Sequence, residues 1–195
     1  MSSIIKVNTI QNQSGANIIS ENSNTITVGA SGDTISIPSG ATIANSGTAT
    51  GFGGDNTPAF QVKLDGNQSI PDETSTKIQF NNELYDTDSA YDNTTNYRFT
   101  VPSGEGGKYW FYSQLQFNTA SYLECQIRKN GSEWLKSHET QLSTSNSRSV
   151  WAAGVDIAAA GDYYEVFTYQ DTSGALNLIG NNTRSFFGGY KLIGV

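Results

Sequence analysis

The chain has 195 residues, a formal net charge of −7, and 11 Lys plus Arg against 18 Asp plus Glu. That balance argues against a nucleic-acid partner, because phosphate contacts need clustered Lys and Arg, and against docking on an anionic membrane by charge alone. A single cysteine, Cys125, rules out an internal disulfide, and no apolar run approaches the ~18 residues of a membrane span. The opening Met1-Ser2-Ser3-Ile4-Ile5-Lys6 lacks the apolar core of a signal peptide, so neither a secretion signal nor membrane insertion is expected.

Ser, Thr, Asn and Gly dominate the polar residues, helix formers are sparse, and aromatics make up 11% of the chain, which together read as all-β. The chain divides by composition. Residues 1–54 contain no Tyr or Trp and one Phe, Phe52, whereas nearly all aromatics fall in 55–195. The seam is the Gly-rich stretch Gly51-Phe52-Gly53-Gly54, followed by Asp55 to Pro58.

In the first part, Thr9-Ile10, Asn17-Ile18, Thr25-Ile26, Thr34-Ile35 and Thr42-Ile43 recur every eight or nine residues, separated by small turn residues. Thr25 to Val28 and Thr34 to Ile37 alternate with period two, so strands with one apolar edge are predicted there. Each strand offers one or two apolar side chains worth ~1.5–3 kcal/mol each. Ordering the backbone costs ~1–2 kcal/mol per residue. A lone copy therefore falls short, whereas three copies wound about one axis would share a core of Ile10, Ile18, Ile26, Ile35 and Ile43. The expectation is an intertwined trimeric β-stem; the alternative is a flexible Gly/Ser/Thr linker.

The second part reads as short strands with turns every eight to twelve residues, the rhythm of a sandwich or jelly roll. Tyr109, Phe111, Leu115 and Phe117 fall on one face of a strand, and Trp110, Tyr112, Gln114 and Gln116 on the other. Leu123, Cys125 and Ile127 alternate with Tyr122, Glu124, Gln126 and Arg128 before the tight turn Lys129-Asn130-Gly131. Further strands are expected over Tyr163–Tyr169 and about Phe186–Ile193.

Phe80, Asp86, Tyr91, Phe99, Gly107, Tyr109 and Phe111 follow a spacing that resembles the C1q-like globular head family. Arg128 to Gly131, Gly161-Asp162-Tyr163, and Ser185, Phe187, Gly189 and Tyr190 are similar to later landmarks of the same domain. The match departs at one extra residue between Tyr91 and Phe99, two before Gly107, and at Ser113, where a second aromatic is usual. The resemblance implies a ten-stranded jelly-roll β-sandwich that assembles as a homotrimer, with Phe80, Tyr91, Phe99, Tyr109, Phe111 and Phe187 as packing positions. The stretches Ile5 to Gln11 and Thr34 to Gly40 resemble the stems of bacteriophage fibre proteins. No collagen repeat is present.

Chemistry is sparse. His138 is the sole histidine and lies in a polar stretch that reads as a solvated loop or edge strand; Cys125 alternates onto an apolar face as a core thiol. Asp86, Asp88 and Asp92 could offer oxygen ligands to calcium but lack the EF-hand spacing, and a solvated acidic loop is the plainer reading. No catalytic residue and no cofactor is expected. Trp110 and Tyr112 read as packing rather than as a sugar platform. The five Asn-x-Ser/Thr sites, at Asn12, Asn67, Asn93, Asn130 and Asn181, read as chance in an Asn-rich chain.

Stem, head and missing chemistry together point to a virion structural protein on the particle exterior. In that reading the chain is a tail fibre or similar appendage, joined to other virion proteins through its N-terminus, whose trimeric head meets a host surface glycan or protein. Two alternatives stand beside it: a capsid decoration protein with no receptor role, and a polysaccharide-degrading fibre enzyme. The loop tips Asp86–Asn93 and Ser143–Arg148 are the candidate contact regions, because loops carry function.

Overall fold

The structure is a computed structural model that describes residues 9–15, 17–44, 46, 56–118, 122–140, 147–180 and 184–193. It contains strands and no helix among these residues, and divides into two compact units, Met1–Thr50 and Gly51–Val195. The Gly51–Asp55 seam, the Ile5–Asn8 opening and most of the Ser143–Arg148 loop tip lie outside the described residues.

The first unit is an antiparallel meander of β1 (Thr9–Gln11), β2 (Asn17–Asn22) and β3 (Thr25–Val28). Ser23 and Asn24 take positive φ between β2 and β3, as a two-residue hairpin requires. Register places Ile10 opposite Ile19 and Ile19 opposite Val28, so the apolar row across the meander is Ile10–Ile19–Val28, with Ile26 two residues along on the same face. Ile18 is adjacent to Ile19 and lies on the other face; within one chain it does not share a row with Ile10 and Ile26, because successive strand residues alternate sides. The strands expected at Thr34–Ile37 and Thr42–Ile43 are not formed. Pro38 has no N–H to give a ladder, and the segment is held instead by local turns in which Asp33 N donates to Ala30 O and Ala41 N to Pro38 O. Ile10, Ile18, Ile26, Ile35 and Ile43 are all about half exposed or more in the single chain.

The second unit is a two-sheet sandwich. One sheet contains β4 (Ala59–Lys63), β5 (Gln68–Ile70), β7 (Asn82–Asp86), β10 (Gly107–Phe117), β13 (Arg148–Ala158), β15 (Leu176–Leu178) and β16 (Phe186–Lys191). Its order runs β5-β15-β10-β16-β4-β7, and β13 pairs along the whole of β10. The other sheet runs β12 (Ser132–Thr140), β11 (Tyr122–Lys129), β14 (Tyr163–Gln170), β9 (Arg98–Thr100), β8 (Tyr91–Asp92), and β6 (Thr76–Lys77) also pairs β14. The jelly roll is thus present as thirteen strand segments rather than the ten expected. The extra ones are two- and three-residue stretches, such as β6 and β8, where a loop lies against a sheet for a few hydrogen bonds.

Alternation places the core. On β10, Tyr109, Phe111, Ser113, Leu115 and Phe117 are buried while Trp110, Tyr112, Gln114 and Gln116 face outward. The rings of Phe60, Phe99, Tyr109, Phe111, Tyr164 and Phe187 stack at the centre, Phe111 against Tyr164 at 3.9 Å and Phe60 against Phe99 at 4.5 Å. Phe80 and Tyr91 complete this core, so the six head positions that the resemblance marks are packed within the single chain. Ser113, where an aromatic was expected, donates its hydroxyl to Phe186 O at 2.9 Å. Gly189 is needed for the same closeness: a Cβ there would sit 2.5 Å from Phe111 Cδ1.

Candidate functional site

The residues singled out for chemistry do not converge. His138 is exposed on β12, the edge strand of the six-stranded sheet, stacked on Tyr122 at 5.8 Å. Cys125 is buried, and that burial pushes its thiol up to about 12, which keeps it protonated and unreactive. Among the described residues no group of three or more His, Cys, Asp or Glu is placed to hold a metal ion. Asp86, Asp88 and Asp92 serve local backbone instead. Asp86 accepts from the N–H groups of Tyr91 (2.8 Å) and Asp88 (3.3 Å), and Asp88 accepts from the Thr87 hydroxyl. Asp92 accepts from the N–H groups of Thr95, Thr94 and Asn96 and from the Asn96 amide, which together hold its carboxyl well below the usual range.

What the fold builds is a surface. β10 presents Trp110, Tyr112 and Gln114 outward at the middle of the seven-stranded sheet. Register sets Trp110 between Val155 and Tyr190, Tyr112 between Ala153 and Gly188, and Gln114 between Trp151 and Phe186. Tyr112 lies across Gly188, where a Cβ would come 2.5 Å from its hydroxyl, and meets Phe186 edge-on at 6.1 Å. One free edge of this sheet is β13, whose outward residues Trp151, Val155 and Ile157 are 65%, 50% and 72% exposed. Their exposure is the reverse of what an isolated sandwich favours, since large contiguous apolar patches on soluble proteins mark interaction sites.

Trp151 stands between two hollows. One, of about 250 Å³, lies on the sheet face between Trp110, Tyr112, Trp151 and Phe186. The other, of about 390 Å³, lies at the open edge of the sandwich between β12 and β13, lined by Leu135, Val150, Trp151 and Ala152 with His138 and Glu139 at its rim. Ser137 donates its hydroxyl to Trp151 O and ties the two edge strands together. Sequence reasoning named Trp110 and Tyr112 as packing residues but passed over Trp151, Val155 and Ile157. Their alternation with Val150 and Ala152 was readable, but which side of β13 would find a sheet to pack on was not.

The outward side of β11 also differs from expectation. Glu124 and Gln126, assigned to the polar side by alternation, are 9% and 5% exposed. Tyr122 donates to Glu124 at 2.7 Å, Gln126 donates to Glu124 at 2.6 Å, Arg128 donates to Gln126 at 2.8 Å, and Lys136 lies 3.7 Å from Glu124. Burial alone would raise the Glu124 carboxyl; the Tyr122, Gln126 and Lys136 donors outweigh it, and the net shift is downward. These side chains hydrogen-bond one another along the sheet, which accounts for their burial on a polar face.

No protein-family model matches the chain, and no curated protein matches it. Solved structures do. Eiger TNF from S. frugiperda is 16% identical with a TM-score of 0.56, the match covering 69% of this chain and 91% of that one. Murine APRIL at pH 8.0 is 17% identical with a TM-score of 0.53, covering 69% and 98%. The globular domain of zebrafish complement 1qA protein is 19% identical with a TM-score of 0.50, covering 70% and 98%. At these identities the likeness is one of fold, and it accords with the spacing of Phe80, Tyr91, Phe99, Tyr109 and Phe111: the second unit of this chain has the jelly-roll fold seen in TNF and complement C1q globular domains.

Proposed function

We propose that the chain is a non-enzymatic binding protein whose jelly-roll heads assemble as a homotrimer on a β-rich stem. The observation that carries this is the exposed Trp151–Val155–Ile157 edge beside an outward aromatic sheet face of Trp110, Tyr112, Phe186 and Tyr190. Register puts edge and face on one side of the sheet, Val155 beside Trp110 and Trp151 beside Gln114, so the edge is the rim of a single apolar surface. A contact between the rim of one copy and the centre of that face on the next is heterologous and closes into a ring when the rotation allows, and three is the number that the resemblance to C1q-like heads implies. The exposed Ile10, Ile26, Ile35 and Ile43 support the same reading, since further copies wound about one axis would cover them.

In the biological setting that the stem resemblance implies, this is a bacteriophage tail fibre or similar appendage. The N-terminal unit spaces the heads from the particle, and the heads adsorb to a host surface glycan or protein. Three linked heads convert weak single contacts into avidity. The burial of Cys125, which keeps its thiol protonated, and the exposure of His138 on the neighbouring strand set the two apart as a nucleophile–base pair.

The test is the solution mass of the purified full chain by multi-angle light scattering, followed by adsorption of that protein to candidate host cells. A mass three times that of the chain with saturable adsorption supports the reading. A monomer removes the assembly on which it rests, and a trimer that adsorbs to no host cell leaves a purely structural particle protein.

A further inference from the structure

We propose that the hollow over β8 and β9 binds a carboxylate-bearing sugar, with Arg98 receiving the carboxylate. This rests on the binding-head reading and names the ligand class of that head.

The hollow has a volume of about 580 Å³ and is lined among others by Asp88, Ser89, Asn96, Arg98, Thr100 and Ser103. That volume falls within the ~300–1,000 Å³ typical of small-molecule sites. Its floor follows from register: Tyr91 pairs with Phe99 and both are buried in the core, so Asp92 and Arg98, paired beside them, lie on the outer side of the sheet. Its walls are the loops on either side, and they are fixed. Thr100 N donates to Ala90 O at 2.8 Å, Val101 N to Asp162 O at 2.8 Å, and Gly161 N to Val101 O at 2.9 Å.

Arg98 is the feature that asks for a ligand. Asp92, directly opposite it in the strand pair, is the natural partner, but its two oxygens take the N–H groups of Thr94 (3.0 Å), Thr95 (2.9 Å) and Asn96 (3.1 Å) and the Asn96 amide (2.7 Å). Lys77, Lys129, Lys136 and Lys191 each make an ion pair; Arg98 makes none among the described residues, nor do Lys63, Lys108 and Arg128, but of these Arg98 alone lines the hollow. Its guanidinium instead lies over the Tyr163 ring, 4.2 Å from the centroid. Stacking holds the plane and leaves the edge N–H groups available, so a bidentate carboxylate meets a fork that is already oriented. Around it, the hydroxyls of Ser89, Thr100 and Ser103, the Asn96 amide oxygen and the Asp88 carboxylate are short polar groups suited to a ring of hydroxyls. Asp88 and Asp92, both in the lining, accept from donors but repel further negative charge, which Arg98 alone offsets. That favours one carboxylate on a hydroxyl-rich ligand over a phosphate polymer.

The experiment titrates the full chain with methyl β-D-glucuronide, methyl β-D-glucoside and acetate, read by saturation-transfer NMR and calorimetry. The expected result is saturable glucuronide binding about tenfold or more tighter than the glucoside, one charge-assisted pair being enough for that ratio, with acetate failing to displace it at equal concentration. Arg98→Gln removes the preference. Ser103→Trp, at an exposed wall position, blocks the glucuronide without lowering the thermal midpoint. Equal binding of the two glycosides, displacement by acetate, no binding, or binding retained in both variants overturns the proposal. Host adsorption that survives Arg98→Gln with glucuronide binding abolished refutes this site as the adsorption contact and leaves the binding-head reading in place. Adsorption absent in the wild type while glucuronide still binds does the opposite.

Discussion

Trp151→Glu is the sharpest perturbation of the proposed assembly. Trp151 is 65% exposed in the single chain. A Trp buries 150–250 Å² when covered, so ~100–160 Å² remains for a partner, and at ~25 cal/mol per Å² that area is worth about 2.4–4 kcal/mol per contact. A closed ring of three contains the contact three times, which raises the loss to about 7–12 kcal/mol per trimer, before the cost of placing a carboxylate against Trp110 or Tyr112 of a neighbour. With every 1.4 kcal/mol a factor of ten, a trimer stable at micromolar concentration dissociates. The same side chain contributes little to its own sandwich, so the folded monomer survives. Light scattering of the full chain across a concentration series reads the mass, and far-ultraviolet circular dichroism checks the fold. A Trp151→Glu protein that remains trimeric at the lowest concentration accessible would refute the edge-to-face reading, whatever the wild-type mass.

The remaining expectations concern the single chain. Gly189→Ala puts a Cβ 2.5 Å from Phe111 Cδ1 and 3.0 Å from Trp110 O, so it lowers the urea midpoint by an overpacking cost of about 1–3 kcal/mol; an unchanged midpoint would mean that β10 and β16 are not packed this closely. Cys125, its thiol pushed up to about 12 by burial, resists iodoacetamide at pH 8 in the folded protein and is labelled after denaturation, whereas rapid native labelling would place it at a surface. Asp92 has its carboxyl held below the usual range by the N–H groups of Thr95 and Thr94. Its contribution is therefore complete above the unfolded pKa of about 3.9 and is lost as the pH falls below it. Thermal melts from pH 5 to pH 2 fall less steeply in Asp92→Asn than in wild type, and parallel curves would remove that role. In the assembled protein, residues 10–44 resist limited proteolysis; quick cleavage there would favour the flexible linker over the stem.

Much of the head was legible because its signals are local. The alternation of Tyr109, Phe111, Leu115 and Phe117 is a property of consecutive residues, and a strand converts it directly into an inward and an outward face. The Asn130-Gly131 pair needs positive φ at both places, so the hairpin between β11 and β12 could be read from two letters. The strands expected at Tyr163–Tyr169 and Phe186–Ile193 appear as β14 and β16, the latter two residues shorter. The stem was less legible. An eight-residue recurrence of Ile cannot say which face each Ile takes, because an intervening turn shifts the parity, and Ile18 parted from Ile10 and Ile26 for that reason. Alternation at Thr34–Ile37 predicts a strand, but Pro38 follows it with no N–H for a ladder, and the strand is not formed.

Composition and alternation by themselves determined that the chain is all-β and that Tyr109, Phe111, Leu115 and Phe117 share one buried face, and the resemblance to C1q-like heads marked Phe80, Phe99 and Phe187 as packing positions. Only the tertiary structure decided that Trp151, Val155 and Ile157 stand on a free edge, that Glu124 and Gln126 are covered on the outer face, and that Asp92 turns to its own loop and leaves Arg98 stacked on Tyr163 without an anion. The physical reason is range. Which side a residue faces follows from its immediate neighbours, but what waits on that side depends on strands brought together from far along the chain.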